Sequence, residues 1–438
     1  MTSIAARTPI TMTDPMRRVL GLGGLAGLVV FGAAIAVGGA GGRTFVNPAS
    51  AKGTPGWITG PFEAFGVTIT AAQFFLALVA MCVCWAAVLV AGDALGGRWV
   101  IGAIGLLHLI FMLAPPLLSK DIFSYIEYAR LGVVHDVNPY AEVVKAVRGD
   151  EVYRYLGWRS IASAYGPLFT VASYPLAWVS AGVGLWIIKV ITAVASLGCV
   201  ALVADSARRL GRSPVVAAAL FGLNPILLVY GVGGAHNDIL MLLLALAGVA
   251  LMLRRREGLA GGAVVAGVAV KASVGVMLPL MFLAARDKVR ALVGMAVGGT
   301  LMLAIAIAAF QGEALGVFRV LKQQQRLVSD DAIPNQIARA VGLPGVTSDV
   351  RLVSRLFVIG AIAWLLWLVW RRGYDWIAAS GWALIAAVVA SSWLLGWYVL
   401  WALPFAAISR DRRLKVAAVA LTAYFVALRW PVLILGEG

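Results

Sequence analysis

Histidine and cysteine are scarce in this chain, with 3 of each in 438 residues, and acidic side chains number 20 against 36 lysines and arginines. The cysteines Cys82, Cys84 and Cys199 all lie inside apolar runs, where a thiol packs as a small hydrophobe, so neither a disulfide framework nor a cysteine metal motif follows. No separate soluble domain and no fixed-period repeat appear, and no Gly-x-x-x-x-Gly-Lys-Ser/Thr sequence occurs, which argues against an ATP-driven pump.

What is abundant is apolar surface. Hydrophobic residues make up 61% of the chain, charged residues only 13%, and the mean hydropathy is +0.92. Apolar runs are mostly about 17 to 25 residues long, enough to cross the hydrocarbon core as helices and too long for spanning strands. The chain therefore reads as an all-α polytopic membrane protein. The segment 1–16 is polar and is expected to be disordered in the cytoplasm, and the run from Val19 to Ala40 is too long for the core of a signal peptide, so it is taken as the first anchor. A net charge of +16 could suggest nucleic acid, but the basic residues fall in short clusters between apolar runs. Orientation in a lipid bilayer explains them better.

Placing Arg17-Arg18, Arg98, Arg208-Arg209, Arg254-Arg255-Arg256, Arg371-Arg372 and the Arg410–Lys415 cluster in the cytoplasm gives about thirteen spans, with the N-terminus inside and the C-terminus outside. Two sizeable extracytoplasmic loops result, 119–184 and 311–350, within one membrane-embedded unit covering 17–438. Residues 165–183 are treated as a re-entrant or interfacial helix. The run 258–285 must leave and return, and is expected to break near Lys271-Ala272-Ser273.

The first loop opens on Ser119-Lys120-Asp121-Ile122-Phe123-Ser124-Tyr125. On a helix, Asp121, Tyr125 and Tyr128 share one face while Glu127 turns away. Aromatic hydroxyls beside a carboxylate suit a sugar, but Asp121 or Ser119 could equally serve as a helix cap. In Gly231-Val232-Gly233-Gly234-Ala235-His236-Asn237-Asp238, glycines permit close approach of a ligand and His236 could meet a phosphate, whereas Asn237 or Asp238 could simply cap the next helix. Lys189 and Lys271 sit in apolar runs. Lys189 could snorkel outward, and Lys271 could hold a lipid phosphate or a neighbouring carboxylate. His108 is read as a packed residue. Trp397 and Tyr398 belong either to an interfacial belt or to a sugar-stacking wall, and Asp330-Asp331 is read as a solvated turn.

Ser119 to Tyr125, Asn138-Pro139-Tyr140, Tyr165-Gly166-Pro167-Leu168-Phe169, Asn224-Pro225, Gly233 to Asp238 and Trp397 to Pro404 occur in an order that resembles the GT-C superfamily. The resemblance is in particular to the actinobacterial polyprenol-phosphate-mannose-dependent α-1,6-mannosyltransferases. That likeness implies transfer of mannose from a polyprenyl-phosphate donor to a mannan or glycolipid acceptor, on the outer face of a bacterial cytoplasmic membrane. It also implies Asp121 as the catalytic carboxylate. Asn138 stands where that branch is expected to carry an aspartate. The expected donor phosphate ligands are Lys189, His236, Lys271 and Arg159, and Tyr125, Tyr128, Asn237, Asp238, Trp397 and Tyr398 are expected around the sugars. No metal ligands are assigned, and assistance by a divalent cation is left open. A transporter or flippase for a lipid-linked sugar is the rival reading.

Overall fold

The computed structural model describes residues 12–41, 46–48 and 55–428, and every regular element among them is helical. Most of the expected disordered tail and the end of the last expected span lie outside the described residues. Asp14 to Met16, assigned to that tail, instead form the first turn of α1 (Asp14–Ala40). A short α2 (Gly56–Thr59) follows, then α3 (Ala71–Ala91) and α4 (Gly97–Leu113). Helix α3 starts at a reciprocal cap in which Thr70 accepts from the Gln73 N–H and the Gln73 side chain accepts from the Thr70 N–H.

Helix α5 (Asp121–Val133) begins where the Pro115-Pro116 break ends, and α6 (Pro167–Ser173) is seven residues long, about 10 Å at 1.5 Å per residue, too short to cross a bilayer. Then come α7 (Ala181–Arg209), α8 (Pro214–Gly222), α9 (Asp238–Leu253), α10 (Glu257–Val270), α11 (Met277–Ala284) and α12 (Lys288–Phe310). The run 258–285 breaks at Lys271, whose backbone is extended between α10 and the 3-10 turn Ala272–Val276 that leads into α11. The second polar segment holds α13 (Gly316–Gln324) and α14 (Ile333–Ala340), and the chain continues through α15 (Ser348–Arg372), α16 (Trp376–Val389), α17 (Leu403–Ile408) and α18 (Arg412–Ala427).

Among the described residues five helical segments are long and apolar enough to cross a membrane: Asp14–Ala40, Ala71–Leu95, Ala181–Arg209, Lys288–Glu313 and Ser348–Arg372. A sixth arises if Pro214–Gly222 and Leu227–Gly233, bent by 65°, are counted together. Helix α10 lies against α9 and α12, and the α10–α12 seam is built from glycines four apart, Gly258 and Gly262 facing Gly294 and Gly298. Small residues at that spacing let two backbones touch, the usual solution where lipid supplies no hydrophobic drive between helices.

The two ends of the bundle differ. At one, arginines cluster and cross-link helix termini, as Arg254 does to Asp205 at 2.8 Å and Arg410 to the Leu210 carbonyl. At the other, the long polar segments are tied to helix ends. Asn138 donates to the Phe310 carbonyl at the end of α12, Leu118 N–H donates to Val46, and Ser329 donates to Leu394.

Candidate active site

Asp121 sits in the first turn of α5, where its own N–H donates to the Ser119 hydroxyl at 3.1 Å. Ser119 is thus the partner of the helix start, and the Asp121 carboxylate is left for other contacts. The Trp158 indole N–H donates to Oδ1 at 3.0 Å, and the His236 ring nitrogen Nδ1 lies 3.5 Å from Oδ2. Burial alone would raise this carboxyl, but the His236 ring, the Trp158 N–H and the Lys271 charge outweigh it and hold Asp121 below the ordinary carboxylate range.

His236 is delivered by an unusual stretch of backbone. Asn224 accepts from the N–H groups of Ile226 and Leu227, and the chain then widens into a π-helix over Leu227–Gly233. A Cβ at Gly234 would meet the Tyr230 carbonyl oxygen at 2.4 Å, so only glycine fits there. Ala235 follows with φ at +55°, a conformation a residue with a Cβ adopts at a cost, and one that recurs at functional sites. The His236 ring stacks on Trp397 with centroids 3.5 Å apart, and is fully buried.

Beside it, Asp238 is closed off from solvent. Lys271 Nζ lies 2.8 Å from both of its oxygens, and the Trp401 indole donates to Oδ1 at 2.6 Å. The Lys271 ammonium also lies over the rings of Tyr398 and Trp401. Tyr125 reaches the same loop, its oxygen accepting the Asn237 backbone N–H at 3.2 Å, while the Tyr128 hydroxyl donates to the Ile161 carbonyl. Burial, and then the negative charge of Asp121, raise both phenols, which therefore stay protonated.

Asp121, Tyr128, Lys271, Trp397 and Tyr398 line a narrow cavity of about 50 Å³, too small for a sugar ring. It shares wall residues with two larger spaces. One, of about 760 Å³, is walled by Asp121, Lys120, Trp158, Tyr230, Asp330 and Asp331. The other, of about 740 Å³, is a groove along α15 and α16. Trp393 lines all three, and its indole meets that of Trp158 edge to face with centroids 5.5 Å apart.

The structure brings Asp121, Tyr125, Tyr128, His236, Asn237, Asp238, Lys271, Trp397 and Tyr398 into one cluster. It does not bring in the other two. Lys189 is fully buried and donates to the carbonyls of Phe111, Val232 and Gly233, tying the end of α4 to the end of the π-helix instead of snorkelling. Arg159 donates to the Arg154 carbonyl and lies over the Tyr153 ring. His108 bridges the Ile104 carbonyl and the Ser196 hydroxyl, as a packed residue would. Among the described residues no group of three or more His, Cys, Asp or Glu side chains could hold a metal ion. Trp158 escaped the sequence reading because it lies in an irregular segment with no periodicity to place it.

Residues 19–287 match the family described as Alpha-(1->6)-mannopyranosyltransferase, N-terminal domain. The chain belongs to this family. It is 25% identical over 340 residues to Alpha-(1->6)-mannopyranosyltransferase A of Corynebacterium glutamicum, covering 65% of this chain and 66% of that protein. It is 28% identical over 340 residues to the protein of the same name from Mycobacterium tuberculosis, covering 70% and 65%. A Mycolicibacterium smegmatis protein named as a probable alpha-(1->6)-mannopyranosyltransferase is 26% identical over 375 residues, covering 71% and 65%. The chain thus spans a little under two thirds of the length of these relatives. No solved structure matches it.

Proposed function

We propose that the protein is an inverting glycosyltransferase that moves mannose from a polyprenyl-phosphate donor to a glycan or glycolipid acceptor at the extracytoplasmic face of a bacterial plasma membrane. About thirteen helical passes would form the one unit that carries the site. The observation that carries the reading is Asp121, a carboxylate held ionised on the wall of the cavity of about 760 Å³ and of the narrow space that shares Lys271, Gln324, Trp393 and Tyr398 with the groove of about 740 Å³. Membership of a mannosyltransferase family supports the sugar and disfavours the flippase alternative.

Asp121 acts as general base. It takes the proton of an acceptor hydroxyl as that oxygen forms a bond to the anomeric carbon, from the side opposite the phosphate. The bond between that carbon and the phosphate oxygen breaks, and the lipid phosphate leaves with the electron pair. One displacement inverts the centre, so a β-linked donor gives an α-linked product. The Lys271–Asp238 pair, with Tyr398 and Trp401, forms a rigid wall beside the reacting atoms. Passage of a sugar ring requires the narrow cavity to widen, and the indoles of Trp158 and Trp393 are the parts of its wall that meet edge to face.

The test is Asp121→Asn assayed for mannose transfer from a lipid-phosphate donor in membranes. Turnover is expected to fall about a hundredfold or more, the scale of a lost general base, with normal insertion. Near-normal turnover removes Asp121 from that role.

A further inference from the structure

We propose that the groove along α15 and α16 is the slot for the donor's lipid phosphate, and that Arg355 is the cation that meets the phosphate. This rests on the lipid-phosphate reading above and assigns it a place. The cations first expected to meet a phosphate have other partners. Lys189 is held by three backbone carbonyls, Arg159 by Arg154 and the Tyr153 ring, and Lys271 by both oxygens of Asp238. His236 stands behind Asp121 against Trp397.

Arg355 is different. Among the described residues its one hydrogen bond is a long one, 3.4 Å, to the Gln325 side chain, and Arg355 lines the groove. Arg351, one turn earlier, is fixed by the Gln325 and Arg326 carbonyls and by Ser392, so it positions the rim. Arg351, Ser354, Arg355, Val358 and Ile359 all face the groove, the stripe expected of one helix face. Going down α15, this stripe turns from charged to apolar, and Val276 and Ala387 continue the apolar wall opposite. From Ser348 to Arg355 is about 10 Å along the axis at 1.5 Å per residue. That depth suits a headgroup whose tail lies in the bilayer, with the long arginine side chain snorkelling to meet it.

Charge sorts the two cavities. Among the described residues no Asp or Glu lines the groove, whereas Asp330 and Asp331 line the other space beside Asp121. An anion is favoured on the α15 side and a neutral glycan on the other. The groove shares Lys271, Gln324, Trp393 and Tyr398 with the narrow cavity, so a phosphate at Arg355 leads its sugar towards Asp121. The occupant that fits is an isoprenyl phosphate carrying a sugar, a single anionic phosphate on one long apolar chain.

The experiment uses the full chain in nanodiscs with a synthetic isoprenyl-phosphate-linked mannose. Arg355→Gln is expected to raise the donor KM about tenfold or more with the acceptor KM unchanged, and Arg355→Lys to recover part of the loss. A photoreactive residue at Ile359 is expected to label the isoprenyl chain, and one at the lipid-facing Val353 is not. An unchanged donor KM, or labelling of phosphatidylglycerol alone at Ile359 when the isoprenyl phosphate is present, overturns the proposal. Should the unaltered protein transfer no mannose from this donor, the enzymatic reading fails instead. Labelling at Ile359 by the unglycosylated isoprenyl phosphate then still decides the groove by itself.

Discussion

Lys271 and Asp238 close a bidentate ion pair, with the lysine nitrogen 2.8 Å from both carboxylate oxygens, at the point where the backbone between α10 and α11 breaks. The pair stitches the start of α9 to this break, and the Asp238 side chain is fully buried. Lys271→Met would leave that buried carboxylate without its counter-charge. Destabilisation of about 3–5 kcal/mol is expected, read as a lower midpoint of thermal unfolding in detergent. Adding Asp238→Asn should recover part of the loss. A single variant as stable as the unaltered protein would mean the pair contributes nothing to holding the break.

Trp158 supplies a second relationship that can be measured. Its indole N–H stabilises the charged form of Asp121, and Trp158→Phe keeps a ring while deleting that donor. Loss of a hydrogen bond to the carboxylate raises its pKa. A general base works only when deprotonated, so the acid limb of kcat/KM should move to higher pH, by about one unit, for a bond to a charged group. The stability that Asp121 contributes is present above its unfolded pKa and is lost as pH falls through its depressed folded value. Trp158→Phe narrows that gap. An acid limb that stays in place would show that the indole does not tune the carboxylate.

Much of this was legible from residue order. Apolar run length gave the class, and the lysine inside the run 258–285 marked its break, because a charge at that depth demands a partner. Asp121, Tyr125 and Tyr128 were read onto one helix face from their spacing; Asp121 and Tyr125 do meet the Gly233 to Asp238 segment, at His236 and Asn237, while Tyr128 turns to the Ile161 carbonyl. The partners of the cations were not legible. Depth in an apolar run says that Lys189 and Lys271 must be neutralised, but not whether by carbonyls, by Asp238 or by a ligand. Trp158 and Arg355 were missed for related reasons. One lies in irregular chain, and the other gains its meaning only when α15 packs beside α16 and the residues around Lys271.

Glu127, turned away from Asp121 as its helical position requires, is fully buried, with neither carboxyl oxygen engaged by a donor. Burial and the neighbouring Asp150, itself held by Arg130 and His135, push its pKa up to about 8. The folded protein thus binds this proton more tightly than the unfolded chain. Stability from this group is present below the unfolded carboxylate value and is lost as pH rises through about 8. Glu127→Gln removes the titration, so the variant should unfold at a higher temperature than the unaltered protein above pH 8, with the difference shrinking towards pH 6. Parallel profiles across that range would exclude a buried, proton-binding Glu127.

The glycine seam between α10 and α12 sets the position of the Lys271 break, because α10 ends there. A Cβ at Gly294 would lie 1.8 Å from the Gly258 carbonyl oxygen, an overlap with backbone that no rotamer relieves. Gly294→Ala therefore has to push the helices apart, at a cost of about 1–3 kcal/mol, the range for overpacking. The opposite is expected at Gly299 on the same helix, where an added Cβ meets nothing within 4 Å and alanine is the better helix former. Because α10 carries Lys271 towards Asp238, the Gly294 variant should also lose transfer activity beyond its loss of folded protein, whereas the Gly299 variant should keep it. Equal unfolding temperatures and equal activities for the two variants would show that close approach along this seam holds neither the fold nor the site.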